Sequence, residues 1–163
     1  ECSQAGVKVE LIIRGISCLI AGVEGYTDNV RIISIVGRYL EHARVYIFGT
    51  GEGRSVYISS ADYMTRNTIR RVEVAAPLLD EDIKNRVITY FNTELADNVK
   101  AREQRPDGTY SHMPTIGVPI NSQIKFFDEA YANAPQAEES GKGTKKAGFF
   151  ARILSFFKRK SKK

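Results

Sequence analysis

The chain has two histidines, and only one of them, His42, has neighbours suited to chemistry. It lies in SIVGRYLEHARVYIF (34–48), two residues before Arg44. Arg14 ends a strand-like run upstream; SSAD (59–62) and MTRNTIRR (64–71) follow downstream, adding Ser60, Arg66, Asn67 and Arg71. Guanidinium forks hold phosphate oxygens through paired N–H bonds, and an imidazole beside them can donate a proton or attack phosphorus. The set suits phosphoryl chemistry. A plainer reading stands beside it: a histidine at a helix end is favoured by the helix dipole, and Arg44 and Arg70 serve as solvated strand-edge charges. Taken alone, these residues favour the plainer reading.

The elements that must position this set follow from periodicity. GVKVELIIRGI (6–16) and VRIISI (30–35) read as strands, joined by the glycine-containing loop CLIAGVEGYTDN (18–29). Ligands bind past strand C-termini in open α/β sheets, which is where Arg14 falls. Val36, Tyr39, Leu40 and Ala43 recur at helical spacing and predict a short helix ending near His42. ARVYIFGTGEGRSVYISSAD (43–62) predicts a hairpin about a glycine-rich turn, and RRVEVAAPL (70–78) a further strand. Asp80 is placed to cap a helix whose apolar face is Ile83, Val87, Tyr90 or Phe91, and Leu95. RPDG (105–108) predicts a second hairpin, and residues 120–134 a last helix with Ile124, Phe127 and Tyr131 in register.

Composition narrows the class. The 163 residues suit one domain with a real core. The opening ECSQAGVKVEL has neither a charged n-region nor an apolar h-region, so no signal peptide is expected. No run is long and apolar enough to span a membrane. Cys2 and Cys18 are too few for a metal site; they read as reduced thiols in the cytoplasm, Cys18 packing beside the first strand. The net charge of +5 is uneven: all 19 acidic residues lie at or before Glu139, while 141–163 carries nine basic ones. Fifteen basic residues against 19 acidic ones leave a body of −4 before a basic tail. GKGTKK (141–146) fails as a phosphate-binding P-loop because Gly143 stands where Ser or Thr must follow the lysine. No Ser-His-Asp or Cys-His order suggests itself.

Longer motifs in order decide more. RGISCL (14–19), SIVGRYLEHARVYIF (34–48), VYISSADYMTRN (56–67) and RRVEVAAPL (70–78), continued by ADNVKAREQRPDGTY (96–110), closely resemble the C-terminal catalytic domain of ATP-dependent polyphosphate kinases. The likeness runs over residues 1–112 and more faintly to 134. It implies a phospholipase D-like α/β fold with a mixed sheet flanked by helices, N-terminally truncated here. It implies reversible transfer of the ATP terminal phosphate to inorganic polyphosphate through a phosphohistidine. By position, Arg14 is then a nucleotide-phosphate contact and His42 the second essential histidine. Ser60, Arg66, Asn67 and Arg71 lie in matching motifs, and the resemblance implies that they line the phosphate path. The phosphorylated histidine and the residues associated with Mg2+ belong to the preceding domain, so this chain alone is expected to hold half a site, without a metal ligand, and to be inactive. Full-length assembly into a homo-oligomer in the cytoplasm, without specific nucleic acid, belongs to the same expectation.

Beyond Pro135 the likeness ends in a linker and a basic tail (135–163), where Phe149, Phe150, Ile153, Leu154 and Phe157 share one face of a possible helix. Such a segment suits an anionic membrane or polyphosphate; the plainer reading is an unstructured extension. Two alternatives to the kinase stand. A phospholipase D-type phosphodiesterase needs His-x-Lys, four residues, then Asp; here His42-x-Arg44 leads to Gly49. A non-catalytic polyanion-binding module would rest on the arginines and the tail.

Overall fold

The computed structural model describes residues 1–134, and Glu1–Ala130 form one compact unit. Two sheets carry it. The first has four strands, β1 (Val9–Ile12), β2 (Val30–Ile35), β6 (Ala101–Gln104) and β7 (Tyr110–His112), in the order β1-β2-β6-β7. The second is an antiparallel meander of β3 (Val45–Phe48), β4 (Ser55–Ser59) and β5 (Ala75–Pro77). Three helices accompany them: α1 (Thr65–Arg70), α2 (Glu81–Leu95) and α3 (Ser122–Ala132). The expected α/β class holds, with two sheets in place of one.

β2 is the central strand because both its faces are apolar. Val30 and Ile32 pack with Ala21, Val9, Leu11 and Ile13; Ile33 and Ile35 pack with Ala101, Ile12, Leu95 and Met113. Ile32 and Ile33 are fully buried, each contributing about 2–3 kcal/mol relative to exposure. β1 runs parallel to β2, in register Val9 with Val30, and antiparallel β6 closes the other side. The parallel link is the predicted loop, held by Thr27, whose hydroxyl donates to the Ile20 carbonyl, and by Gln104, which accepts from the Ala21 N–H at 2.9 Å. Cys18 is exposed and does not pack beside β1.

Both predicted hairpins form. β3 and β4 pair from Val45–Ile58 to Phe48–Ser55, and their turn uses Gly49 and Gly51 at φ 82° and 62°. β6 and β7 pair around the RPDG turn. Asp80 caps α2 by accepting from the Ile83 N–H at 3.0 Å. Ile83 is nonetheless exposed, and the buried stripe of α2 is Ile88, Thr93 and Glu94. In α3, Ser122 and Gln123 are buried, whereas Ile124 and Phe127 lie largely open.

Two expectations are overturned. Residues 36–44 form no helix. Their backbone polar groups are satisfied from elsewhere: the Gln123 side chain accepts from the Tyr39 N–H at 3.0 Å and donates to its carbonyl at 2.7 Å, while Arg14 donates to the Glu41 carbonyl at 2.8 Å. A two-turn helix nucleates poorly, and these tertiary partners outweigh it. The strand expected over 70–78 shrinks to Ala75–Pro77, because Arg70 still belongs to α1. Pro77 is accepted since β5 is an edge strand, paired only with β4. The basic tail and its amphipathic segment lie outside the described residues.

Candidate active site

Asp62, just past β4, gathers the groups the sequence singled out. Arg14, at the end of β1, donates to both of its carboxylate oxygens through one terminal nitrogen, at 2.9 and 3.1 Å. Arg44, entering β3, donates through Nε at 3.1 Å. The other end of the Arg44 guanidinium lies 3.1 Å from His42 Nε2. Arginine has only donors, so in this contact Nε2 accepts and a neutral ring carries its proton on Nδ1. Arg14 reaches the same segment from the other side through the Glu41 carbonyl. Two guanidinium groups from separate stretches of chain thus share one carboxylate, and one of them also meets His42. Hydrogen bonding from Arg44 holds the Asp62 carboxyl below the usual range against partial desolvation, with the charges of Arg14 and Arg44 adding to it.

Glu73 organises a neighbouring cluster. It accepts from the Ser60 hydroxyl and, at 2.7 Å, from the Asn67 amide; Arg66 donates in turn to the Asn67 oxygen at 3.3 Å. The bonds from Ser60 and Asn67 lower its pKa, and the charges of Arg71 and Arg44 act in the same direction. Asn67 is buried, which fixes its amide, and Ser60 also accepts from the Val74 N–H at 3.0 Å. So Ser60, Arg66 and Asn67 stand together, Arg71 stands within electrostatic reach, and Arg44 influences both carboxylates. His112 lies exposed on β7.

Sequence reasoning missed both organising carboxylates. In sequence, SSAD stands out as a phosphate-suited stretch without singling out Asp62, and Glu73 is one residue of the run read as a strand. A third pair was also missed. Glu41 accepts from Gln123, and it is hydrogen-bonded to Glu94, an acid 5% exposed on the inner face of α2. The signal was present: Glu94 continues the apolar stripe of Val87 and Tyr90 at helical spacing.

Chemically, the site offers guanidinium donors and an imidazole for a multiply charged anion. It does not suit a magnesium ion. Among the described residues no three His, Cys, Asp or Glu side chains are grouped to hold a metal, and Asp62 is already paired with two arginines. No helix among the described residues is long and apolar enough to cross a membrane.

An α/β domain with Arg14 past β1, His42 and Arg44 entering β3 and Asp62 past β4 presents a cluster of guanidinium and imidazole groups suited to anions. Residues 1–123 match the model of the polyphosphate kinase C-terminal domain 2, and the chain belongs to that family. It is 50% identical over 134 residues to a polyphosphate kinase of Bacillus anthracis, covering 82% of this chain and 19% of the relative. The polyphosphate kinase of Staphylococcus saprophyticus is 42% identical over 98% of this chain and 23% of its own length. The crystal structure of polyphosphate kinase from Porphyromonas gingivalis superimposes with a TM-score of 0.74 at 34% identity, over 80% of this chain and 20% of that one. The chain thus spans about a fifth of the length of these relatives.

Proposed function

We propose that this chain forms one part of a polyphosphate kinase that reversibly transfers the terminal phosphoryl group of ATP to inorganic polyphosphate. The convergence of Arg14 and Arg44 on Asp62, with His42 bonded to Arg44, carries the reading, because it gathers guanidinium donors and an imidazole suited to a phosphate chain. In this reading Arg14 binds the nucleotide phosphates, and Ser60, Arg66, Asn67 and Arg71 line the path of the polyphosphate. Phosphoryl transfer is served chiefly by positioning and by neutralising charge on the equatorial oxygens, a task suited to guanidinium groups. An incoming phosphate competes with Asp62 for the two arginines. As Arg44 turns toward it, His42 Nε2 is released to contact the γ-phosphate or, once protonated, to give its proton to the leaving oxygen.

The family likeness supplies the remainder: a phospholipase D-like arrangement of two related domains, a phosphohistidine on the domain preceding this one, and Mg2+ held there. A covalent phosphohistidine divides the transfer into two displacements. A cytoplasmic setting and self-association of the complete enzyme rest on the same likeness. The test uses the full-length protein incubated with ATP. An acid-labile phosphohistidine and growing polyphosphate are expected, and His42→Ala abolishes the synthesis. Near-normal turnover in that variant would remove His42 from the mechanism, and absence of any phosphoenzyme would remove the kinase reading.

A further inference from the structure

The segment that carries His42 runs from β2 to β3 without helix or strand of its own. One side chain of α3 holds it in place. The Gln123 carboxamide accepts from the Tyr39 N–H at 3.0 Å and donates to the Tyr39 carbonyl at 2.7 Å. It thus pairs with both backbone groups of one residue, as a neighbouring strand would. Its nitrogen also donates to the Glu41 carboxylate. A carboxamide has one oxygen and two N–H groups, so these three bonds use the side chain in full.

The grip is built from both sides. Gln123 is 6% exposed, and Ser122 before it is fully buried, its N–H and hydroxyl both donating to Asp97 at 2.8 Å. That anchor fixes the root of the Gln123 side chain. One helical turn on, Phe127 stacks on the Tyr39 ring, with centroids 6.4 Å apart and planes 15° from parallel. From the opposite side Gly37 leaves the room required, since a Cβ there would stand 2.3 Å from Gln123 Oε1. The constraint then passes to the site along the chain. The Glu41 carbonyl accepts from one terminal nitrogen of Arg14 at 2.8 Å, while the other terminal nitrogen holds Asp62. The next residue is His42, whose Nε2 lies 3.1 Å from Arg44. A shift of the Glu41 peptide therefore misplaces Arg14 and His42 together.

We propose that Gln123 is a positioning residue for the phosphate site: its carboxamide pins the backbone at Tyr39 and the side chain of Glu41, and so sets where Arg14 and His42 stand. It acts through those residues and needs no contact with substrate. The catalytic consequence rests on the kinase reading; the pinning does not.

Two variants test it by different routes. Gln123→Met keeps the length and apolar stem of the side chain but makes none of the three bonds. Gly37→Ala leaves α3 untouched and pushes the carboxamide aside, so it decides the matter even where Gln123→Met fails to fold. In the full-length enzyme both are expected to lower kcat for ATP-dependent polyphosphate synthesis at least about tenfold, through His42, and to raise the KM for ATP about threefold, through Arg14. In the 163-residue chain, NMR follows the Tyr39 amide and the His42 ring. The Tyr39 N–H is expected to exchange with solvent at least about tenfold faster in both variants than in wild type. The His42 ring nitrogens are expected to report a proton on Nδ1 in wild type and a mixture of tautomers in the variants. A residue serving stability alone would change the unfolding midpoint and leave the KM and the His42 tautomer in place. Folded variants that turn over within about twofold of wild type, or that leave the Tyr39 exchange and the His42 ring signals unchanged, would overturn the proposal. An inactive wild-type enzyme refutes the kinase reading, while the exchange and the ring signals still decide the pinning.

Discussion

Asp62 and Asp97 are the same side chain put to opposite uses. Asp62 is partly open to solvent and binds side chains, Arg14 and Arg44, which can turn to another anion. Asp97 is fully buried and binds mostly backbone: the N–H groups of Val99, Lys100, Ala101 and Ser122, plus the Ser122 hydroxyl. Those donors join the end of α2 to the start of β6 and the first turn of α3. One aspartate holds groups that must remain exchangeable; the other holds chain segments that must not move. Stability and activity should therefore separate between them.

The largest effect is expected at Asp97. Replacing it by alanine strands several buried N–H groups and removes charge-assisted bonds, a cost of about 3 kcal/mol or more. Urea unfolding of the chain measures it. Asp62→Ala should change stability by less than about 1 kcal/mol, as partly exposed ion pairs do. Equal losses at the two positions would erase the distinction. Activity should rank them otherwise. In a full-length enzyme, Asp62→Ala frees two arginines and lets His42 lose its partner's orientation, so turnover should fall by roughly 100-fold at nearly unchanged stability. Turnover within twofold of wild type would show that substrate alone orders the arginines.

A smaller effect probes the strap between the two regions. Gly37→Ala places a Cβ against Gln123 and should displace its amide from Tyr39 and Glu41. Losing those bonds costs about 2 kcal/mol. The cost should not add to that of Gln123→Ala, since both remove one interaction. Additive losses in the double variant would mean that Gly37 matters for its backbone freedom instead.

How far the sequence alone reached follows the same division. Strands, hairpins and the Asp80 cap were legible because each depends on neighbours in sequence: alternation around charges for β1, turn glycines for β3–β4, a capping oxygen three residues before its N–H. Arg14 and His42 were legible as candidates through their side-chain types, and through family likeness as partners. The segment 36–44 was misread because its backbone bonds go to Gln123 and Arg14, remote in sequence. Asp62, Glu73 and Glu94 escaped notice for a related reason. A carboxylate in sequence is ordinary surface chemistry until the fold shows what surrounds it.

The smallest effect concerns pH between neutrality and mild acid. Asp62 and Asp97 both have lowered pKa values, the first mainly through its Arg44 bond, the second through backbone and Ser122 donors that overcome its burial. A group whose folded pKa is depressed contributes stability that is present above its unfolded value and lost as pH falls through the folded one. The contribution of the two aspartates is therefore flat down to about pH 4, the unfolded value, and declines below it. The decline should belong mainly to Asp97, because its donors are shielded from water and those of Asp62 are partly screened. Asp62→Asn should leave the acid limb nearly unchanged, and added salt should alter it little. An acid limb that vanished in Asp62→Asn, or that collapsed in high salt, would place the stabilising charge at the arginine cluster and reverse the roles drawn for the two regions.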